Sequence, residues 1–561
     1  MDAYSISVTS PAQRNTSRIY QDLKSAQNHF ILEFSAHPGG KSLSRCLEPV
    51  SGMSSTSPHV GIIGAGLAGL RCADALLQSG FRVTILEARR RLGGRLYQET
   101  LPNGHLVDMG PNWIHGTVDN PMMELAKETG TKVGQWDNSA WILDEEGSLL
   151  SSEDSDAYSD IMWEIIKEAF EHSNKHCQEI DPSESLLDFF QTKVKERIPE
   201  STEAYEKKRY MVLQMSLFWG AFVGSPIERQ SLKYFWLEEC LDGGKLGVAH
   251  GRKYGARTRV LTSIPENLFC AGTYRKILEK IASPAVAGAE ISYGVEVTKI
   301  YGKSASGTEG GAVRVTAGSR TFEFDEVVVT TPLGWLKKNP SAFVPPLPEK
   351  ITNAIHNIGY GCLEKVYISF PAAFWLQPDP TGRKVQGFCQ WLPPKYAADS
   401  NPKRWTTEAV DLGSLDPPNA HPTLLFYMYG EESEYVTSEA RARAAKGERD
   451  TFLFEFFRPY YSRLPNYDHC NPDCQPSGAV ATDWLHDGLA GNGSYSNFPV
   501  GLREGDKDLL AMRAGVPGEG IWLAGEHTAP FVALGTATGA YWSGDLVAKR
   551  IARAYDREGP A

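Results

Sequence analysis

Three glycines and an acid carry the first chemistry legible in this chain. Val60 to Ile63 is a strand-length apolar run, Gly64-Ala65-Gly66 follows it, and Gly69 comes three residues later in a helical pattern. Gly64 permits a tight turn, Gly66 lets backbone N–H groups approach a pyrophosphate, and Gly69 lets helix and strand pack closely. The phosphates would rest at the positive end of the helix that begins near Leu67. Arg82 to Leu86 reads as a second strand. It ends in Glu87, 18 residues beyond Gly69, where a carboxylate can accept ribose hydroxyls. Much later, Gly520 to Ala524 gives another apolar strand, closed by Gly525-Glu526 and followed by a Gly-rich helix start. These features point to a dinucleotide gripped from both ends of the chain.

The elements between must fold around that site. Leu106 to Gly116 reads as a strand ending in a special turn, and 158–240 follows helical periodicity with many aromatics. Ile291 to Val329 alternates in period two around a Gly/Ser turn at 302–311, which predicts a β-meander. Lys365 to Phe370 and Thr423 to Met428 are further strands. Cofactor segments at 58–137, 272–340 and 480–556 thus alternate with substrate segments at 138–271 and 341–479. Two domains are expected, each discontinuous in sequence.

Composition fits a large enzyme. The chain has 561 residues, 41% of them apolar, enough to bury two substantial cores. A net charge of −11 argues against nucleic acid as a partner and would suit a cationic substrate. The apolar runs are strand-length, so no membrane span is expected. Nine cysteines scattered without a CxxC pair predict reduced thiols and a cytoplasmic or nuclear location. His469, Cys470 and Cys474 share a polar loop without a second ligand pair, so no metal site is expected. Residues 1–57 lack a hydrophobic signal core and read as a disordered extension with a local element near Phe30 to Phe34. The last three residues are not a peroxisomal tripeptide.

Several motifs together resemble the flavin-containing amine oxidases, and among them the polyamine oxidases. They are the Gly64/Gly66/Gly69 turn, Glu87, Gly93-Gly94-Arg95, Asn112-Trp113-Ile114-His115-Gly116, Lys365, Trp484, Gly493-Ser494-Tyr495-Ser496 and Gly525-Glu526. The resemblance spans about 58–556, with gaps. It implies an α/β fold: a Rossmann-like FAD-binding domain plus an α+β substrate domain with a mixed sheet flanked by helices. It also implies FAD, with Gly94 and Arg95 where the chain recrosses the pyrophosphate. Ala65, Asn112, Trp113, Val297, Trp484, Thr536 and Ala537 join the expected cofactor contacts.

The activity implied is hydride transfer from the carbon beside an amine nitrogen to flavin N5. Hydrolysis of the imine to an aldehyde and reduction of O2 to H2O2 follow. The substrate would be spermine, spermidine or an acetylated derivative, and no protein partner is implied. By the same resemblance Lys365 holds a water at N5, His115 faces the substrate amine, and Tyr495 is one wall of an aromatic cage. Trp484 supports the flavin side. Thr536 stands where monoamine oxidases have the second cage tyrosine, and Ser494 where they have the cysteine that anchors flavin, so the FAD should be non-covalent. Plant polyamine oxidases have a glutamate near the stretch occupied here by Gly224 to Glu228. A loose alignment puts Ser225 there, with Glu228 nearby, which leaves the anchor for a long polycation open. Rival readings are a monoamine or N-methylated lysine as substrate, a non-amine flavin desaturase or oxidase, and a non-catalytic flavoprotein. The absence of a long helical insertion weighs against a histone demethylase.

One segment stands apart. Residues 244–265 hold five Lys/Arg and no acid, and they interrupt the run that resembles the family. Their codons permit a splice donor at Gly244-Lys245 and an acceptor at Pro265-Glu266. A retained intron, rather than a surface loop, is the expectation.

Overall fold

The computed structural model describes residues 57–116, 120–134, 136, 140–242, 267–308, 311–443, 445–530 and 533–557. The extension and the suspected insert therefore lie outside the described residues.

A five-stranded parallel sheet forms around the opening strand, His59–Ile63. Arg82–Glu87 pairs on one side of it and Glu326–Val329 on the other. Glu290–Tyr293 and Ile521–Leu523 are the outer strands. Helices Leu67–Gln78, Arg275–Gly288 and Ala537–Ala554 pack their apolar stripes on one face. A four-stranded sheet and the helix Gly505–Ala514 cover the other. Close packing of the first helix requires glycine at 69, where a Cβ would lie 2.1 Å from the Gly64 carbonyl oxygen.

The expected meander is corrected here. Lys299–Tyr301, Val313–Ala317 and Arg320–Phe324 do form antiparallel neighbours. Glu290–Tyr293 and Glu326–Val329 instead join the parallel sheet. The reason is visible in Val327, Val328 and Val329, each with no exposed surface. A strand buried on both faces belongs inside a covered parallel sheet rather than on a half-solvated hairpin.

The second large sheet has six strands and is mixed. In spatial order they are Gly478–Ala481, Leu363–Ser369, Thr423–Tyr429, Thr407–Asp411, Phe388–Trp391 and Trp141–Leu143. All pair antiparallel except the last two. Strand alternation divides its residues between two environments. Val366, Ile368, Leu424, Phe426, Ala409 and Trp391 meet an apolar cluster that includes residues of the helices Gly430–Ala442 and Lys446–Tyr461. Tyr367, Leu425, Tyr427 and Val410 face the other way, toward Trp136, Phe269 and Trp484. This second face carries the candidate chemistry.

Candidate functional site

The carboxyl ends of the parallel strands gather the residues that the sequence singles out for the cofactor. Gly64 follows the opening strand, Glu87 ends the second, and Gly525-Glu526 follows Ile521–Leu523. Val297 is buried four residues beyond Glu290–Tyr293, on a segment whose Val295 amide donates to the Glu87 carbonyl. Ligands of open α/β sheets bind at this edge, where loops diverge and backbone groups are unpaired.

The glycine turn is shaped for an anion. Gly66 caps the first helix without any side-chain hydrogen bond, and a Cβ on Gly66 would meet nothing within 4 Å. The second glycine loop lies against it. The Gly93 amide donates to the Ala65 carbonyl at 2.9 Å, and a Cβ on Gly94 would lie 3.4 Å from Gly66 Cα. Glu87 is buried and accepts from the Ala65 and Arg89 amides, both at 2.7 Å. Thr331 Oγ1, just past Glu326–Val329, is buried without a hydrogen-bond partner among the described residues. A helix end without a side-chain cap, open space above Gly66 and an orphaned hydroxyl at the strand edge fit a phosphate-bearing flavin.

Arg95 and Glu526 bind the two ends of the chain together. Arg95 Nη1 lies 3.1 Å from Glu526 Oε1 and donates to the Ser494 carbonyl at 2.5 Å. Burial pushes the Glu526 carboxyl up, but the charges of Arg95 and His527 and the Ser496 hydroxyl more than reverse that. Thr536 caps the helix Ala537–Ala554, accepting from the Gly539 amide at 2.9 Å. Its neighbour Gly535 sets the approach to Tyr495, since a Cβ there would lie 3.2 Å from the tyrosine ring. Ala537 begins the helix and packs on the core beneath.

Lys365 lies on the inward face of the six-stranded sheet, 4% exposed, and its Nζ donates to the Gly110 carbonyl oxygen. Burial lowers the affinity of this amine for its proton, and the carboxyl of buried Asp108 partly opposes the shift. The segment it touches is clamped by side chains on every side. Tyr367 Oη donates to the Asp108 carbonyl at 2.6 Å, and Trp484 Nε1 to the Met109 carbonyl at 3.3 Å. Asn112 donates to Tyr367 Oη and accepts from Tyr427 Oη, each at 3.1 Å. Trp113 Nε1 reaches Tyr427 Oη at 3.1 Å, while its ring stacks on Phe388 at 5.7 Å. Asn112 and Trp113 therefore tie the cofactor loop to the sheet that carries Lys365.

Tyr495 and His115 complete the inventory. Tyr495 Oη donates to the Phe222 carbonyl at 2.9 Å, and the ring stays partly exposed. Burial pushes its phenol well up, and the nearby Glu238 adds to the shift. Glu238 is itself buried, which pushes its carboxyl up to about 8. Its Oε1 accepts from the Phe498 amide at 3.3 Å, and its Oε2 is buried without a partner among the described residues. His115 Nδ1 lies 3.1 Å from Asn267 Oδ1, and the ring is partly exposed. Ser494 is committed to the backbone, accepting from the Leu363 amide and donating to the Gly361 carbonyl. Asp468, His469 and Cys470 also bring ligand-type atoms within 4.8 Å of one another, on the exposed loop the sequence had set aside.

The family model for flavin containing amine oxidoreductases matches residues 67–552. This chain belongs to that family. As a flavin-containing amine oxidoreductase it is 26% identical to probable polyamine oxidase 4 of Arabidopsis thaliana, over 88% of this chain and 86% of that protein. It is also 26% identical to the protein FLOWERING LOCUS D of Arabidopsis thaliana, over 84% of this chain and 53% of that one. Identity to lysine-specific histone demethylase 2 of Homo sapiens is 27%, over 88% and 53%. The chain thus spans about half the length of these last two. A redesigned putrescine oxidase double mutant has the same fold, with a TM-score of 0.60, 16% identity, and coverage of 89% of this chain and 99% of that one. Among the described residues of this oxidoreductase, no helix is long and apolar enough to cross a membrane.

Sequence reading missed Tyr367, Tyr427, Asp108, Glu238 and Thr331. The two tyrosines stand in strands that were recognised, but only strand pairing puts them beside Lys365. Glu238 follows an aromatic run like any helix-surface acid, and its burial has no local signature.

Proposed function

We propose that this chain is an oxidase of polyamines, using non-covalent FAD to take a hydride equivalent from the carbon beside an amine nitrogen. Bound FAD supplies the hydride acceptor at N5 and passes the electrons to O2, giving H2O2; water then converts the imine to an aldehyde. The observation that carries this reading is buried Lys365, clamped between the glycine-turn side of the molecule and a tyrosine-rich sheet face. An amine with a lowered proton affinity can hold and orient a water there without placing a fixed full charge against an incoming cation. Tyr427 and Tyr495 offer aromatic surface to an ammonium. His115, at the rim, is assigned the substrate amine. Glu238, a buried acid with an unpartnered oxygen beside Tyr495, favours a substrate with more than one positive charge. The assignment of 58–137, 272–340 and 480–556 to a flavin half belongs to the same reading.

A substrate panel read by H2O2 release and anaerobic flavin bleaching tests it. Spermine, spermidine and their acetylated forms are expected to bleach the flavin faster than monoamines or a methyl-lysine peptide, and the reverse order would sink the polyamine assignment. Acid precipitation should leave intact yellow FAD in the supernatant, since Ser494 offers no thiol. Flavin retained in the pellet would contradict non-covalent binding.

A further inference from the structure

The register of the six-stranded sheet lines up four polar side chains. Lys365 pairs with Tyr427, Tyr427 with Glu408, and Glu408 with Gln390, so the four form one row across adjacent strands. Directly paired residues point to the same face of a sheet. The Lys365 ammonium nitrogen lies 5.9 Å from the centroid of the Tyr427 ring, which confirms the shared face at that end. At the other end, Gln390 Nε2 donates to Glu408 Oε2 at 2.6 Å. Adjacent strands are about 4.8 Å apart, so Lys365 and Glu408 stand roughly 10 Å from each other. That is the span of one or two aminoalkyl units.

Glu408 has few partners for so buried an acid. It is 6% exposed, and Gln390 provides the only hydrogen bond to its carboxyl among the described residues. Burial pushes that carboxyl up to about 7, and the Gln390 hydrogen bond opposes it only in part. Asp411, on the same strand but the opposite face, shows what a structural acid looks like here. It accepts from Trp375 Nε1 at 2.7 Å and from the Gly413 and Ser414 amides at 2.8 and 3.1 Å. Glu408 lacks such satisfaction, and a buried acid without a cation is unfavourable. The strand beside it also alternates unusually. Cys389 and Trp391 are fully buried, whereas Phe388 and Gln390, on the Glu408 face, stay partly exposed although neighbouring strands flank them on both sides. Solvent therefore reaches this face at Phe388 and Gln390, at the end of a row whose Glu408, Tyr427 and Lys365 are buried.

We propose that Glu408 anchors the substrate ammonium remote from the reacting carbon, two strands along the row from Lys365. The row then acts as a ruler. Lys365 marks the flavin end, Tyr427 supplies an aromatic surface between, and Glu408, oriented by Gln390, takes the distal charge. This inference rests on the polyamine reading above and adds the residue that measures substrate length.

The test compares wild-type holoenzyme with Glu408→Gln, using spermidine and N-butylpentan-1-amine. The second amine keeps the central nitrogen and replaces both terminal amino groups with methyls. The preference in kcat/KM for spermidine over the monoamine is expected to fall roughly tenfold or more, with the spermidine Kd taken from the concentration dependence of anaerobic flavin bleaching rising in step. Glu408→Leu, which leaves no buried acid to satisfy, gives the same readout should the glutamine variant fail to retain flavin. A wild type that prefers spermidine while both variants keep that preference overturns the anchor and leaves the polyamine reading standing. A wild type with no preference for spermidine removes both. Loss of preference in Glu238→Gln but not in Glu408→Gln would move the anchor to the other buried acid and refute this one.

Discussion

The two sheets treat charge in opposite ways. At the carboxyl edge of the parallel sheet, charged groups arrive already partnered. Arg95 meets Glu526, and Glu87 accepts two backbone amides. On the inner face of the mixed sheet, Lys365 is held by a carbonyl and Glu408 by one amide side chain, while Glu238, in the short helix Phe235–Asp242, accepts one backbone N–H among the described residues. The first arrangement suits a resident cofactor, whose grip must be rigid before anything reacts. The second leaves Glu408 and Glu238 without a cationic partner among the described residues, as expected where a charged substrate enters and departs.

The largest expected effect breaks the partnered side. Arg95→Met strands the buried Glu526 carboxylate and should cost about 3–5 kcal/mol in stability along with flavin retention. Urea unfolding and the flavin-to-protein absorbance ratio measure both. A variant that unfolds like wild type with full flavin would show that the pair is incidental.

Next comes the under-partnered side. Lys365→Met should keep its flavin but slow turnover on the order of a hundredfold, chiefly in the steps that involve oxygen or a positioned water. Stopped-flow traces of the reductive and oxidative half-reactions check this, and unchanged rates in both would remove Lys365 from the mechanism.

The last effect concerns an acid on the opposite face of the same sheet, against Thr407. Glu432 is buried and, among the described residues, accepts one hydrogen bond, from Thr407 Oγ1; burial pushes its carboxyl up to about 8 from an ordinary value of 4.5. A carboxyl raised in the folded state binds more protons there than when unfolded. Its contribution is complete below the ordinary value and is lost as pH rises through about 8. Wild-type stability should therefore drop as pH rises from about 4.5 through about 8. Glu432→Gln should flatten that slope, and equal slopes in urea unfolding across the range would show that Glu432 stays ionised.

The strand, glycine turn and helix at the start of the parallel sheet were legible from the chain alone, because their signals are local. Gly64, Gly66 and Gly69 lie within six residues, and Glu87 closes the next strand. The Val327 to Val329 run was readable as a strand but not as a parallel one, since period and composition do not say which neighbour will pair.

Sequence by itself thus determined the flavin fold, the glycine cradle and the suspicion that Lys365 matters. Tertiary structure alone decided what surrounds that lysine. Tyr427 is 62 residues from it in sequence and Glu408 is 43, and in isolation each is an ordinary strand residue. Pairing register sets which side chains share a face, and a slip of one residue would send the whole row to the opposite side. Burial works the same way. Glu408 and Asp411 are acids three positions apart on one strand, and their different hydrogen bonding follows from the opposite faces on which they fall.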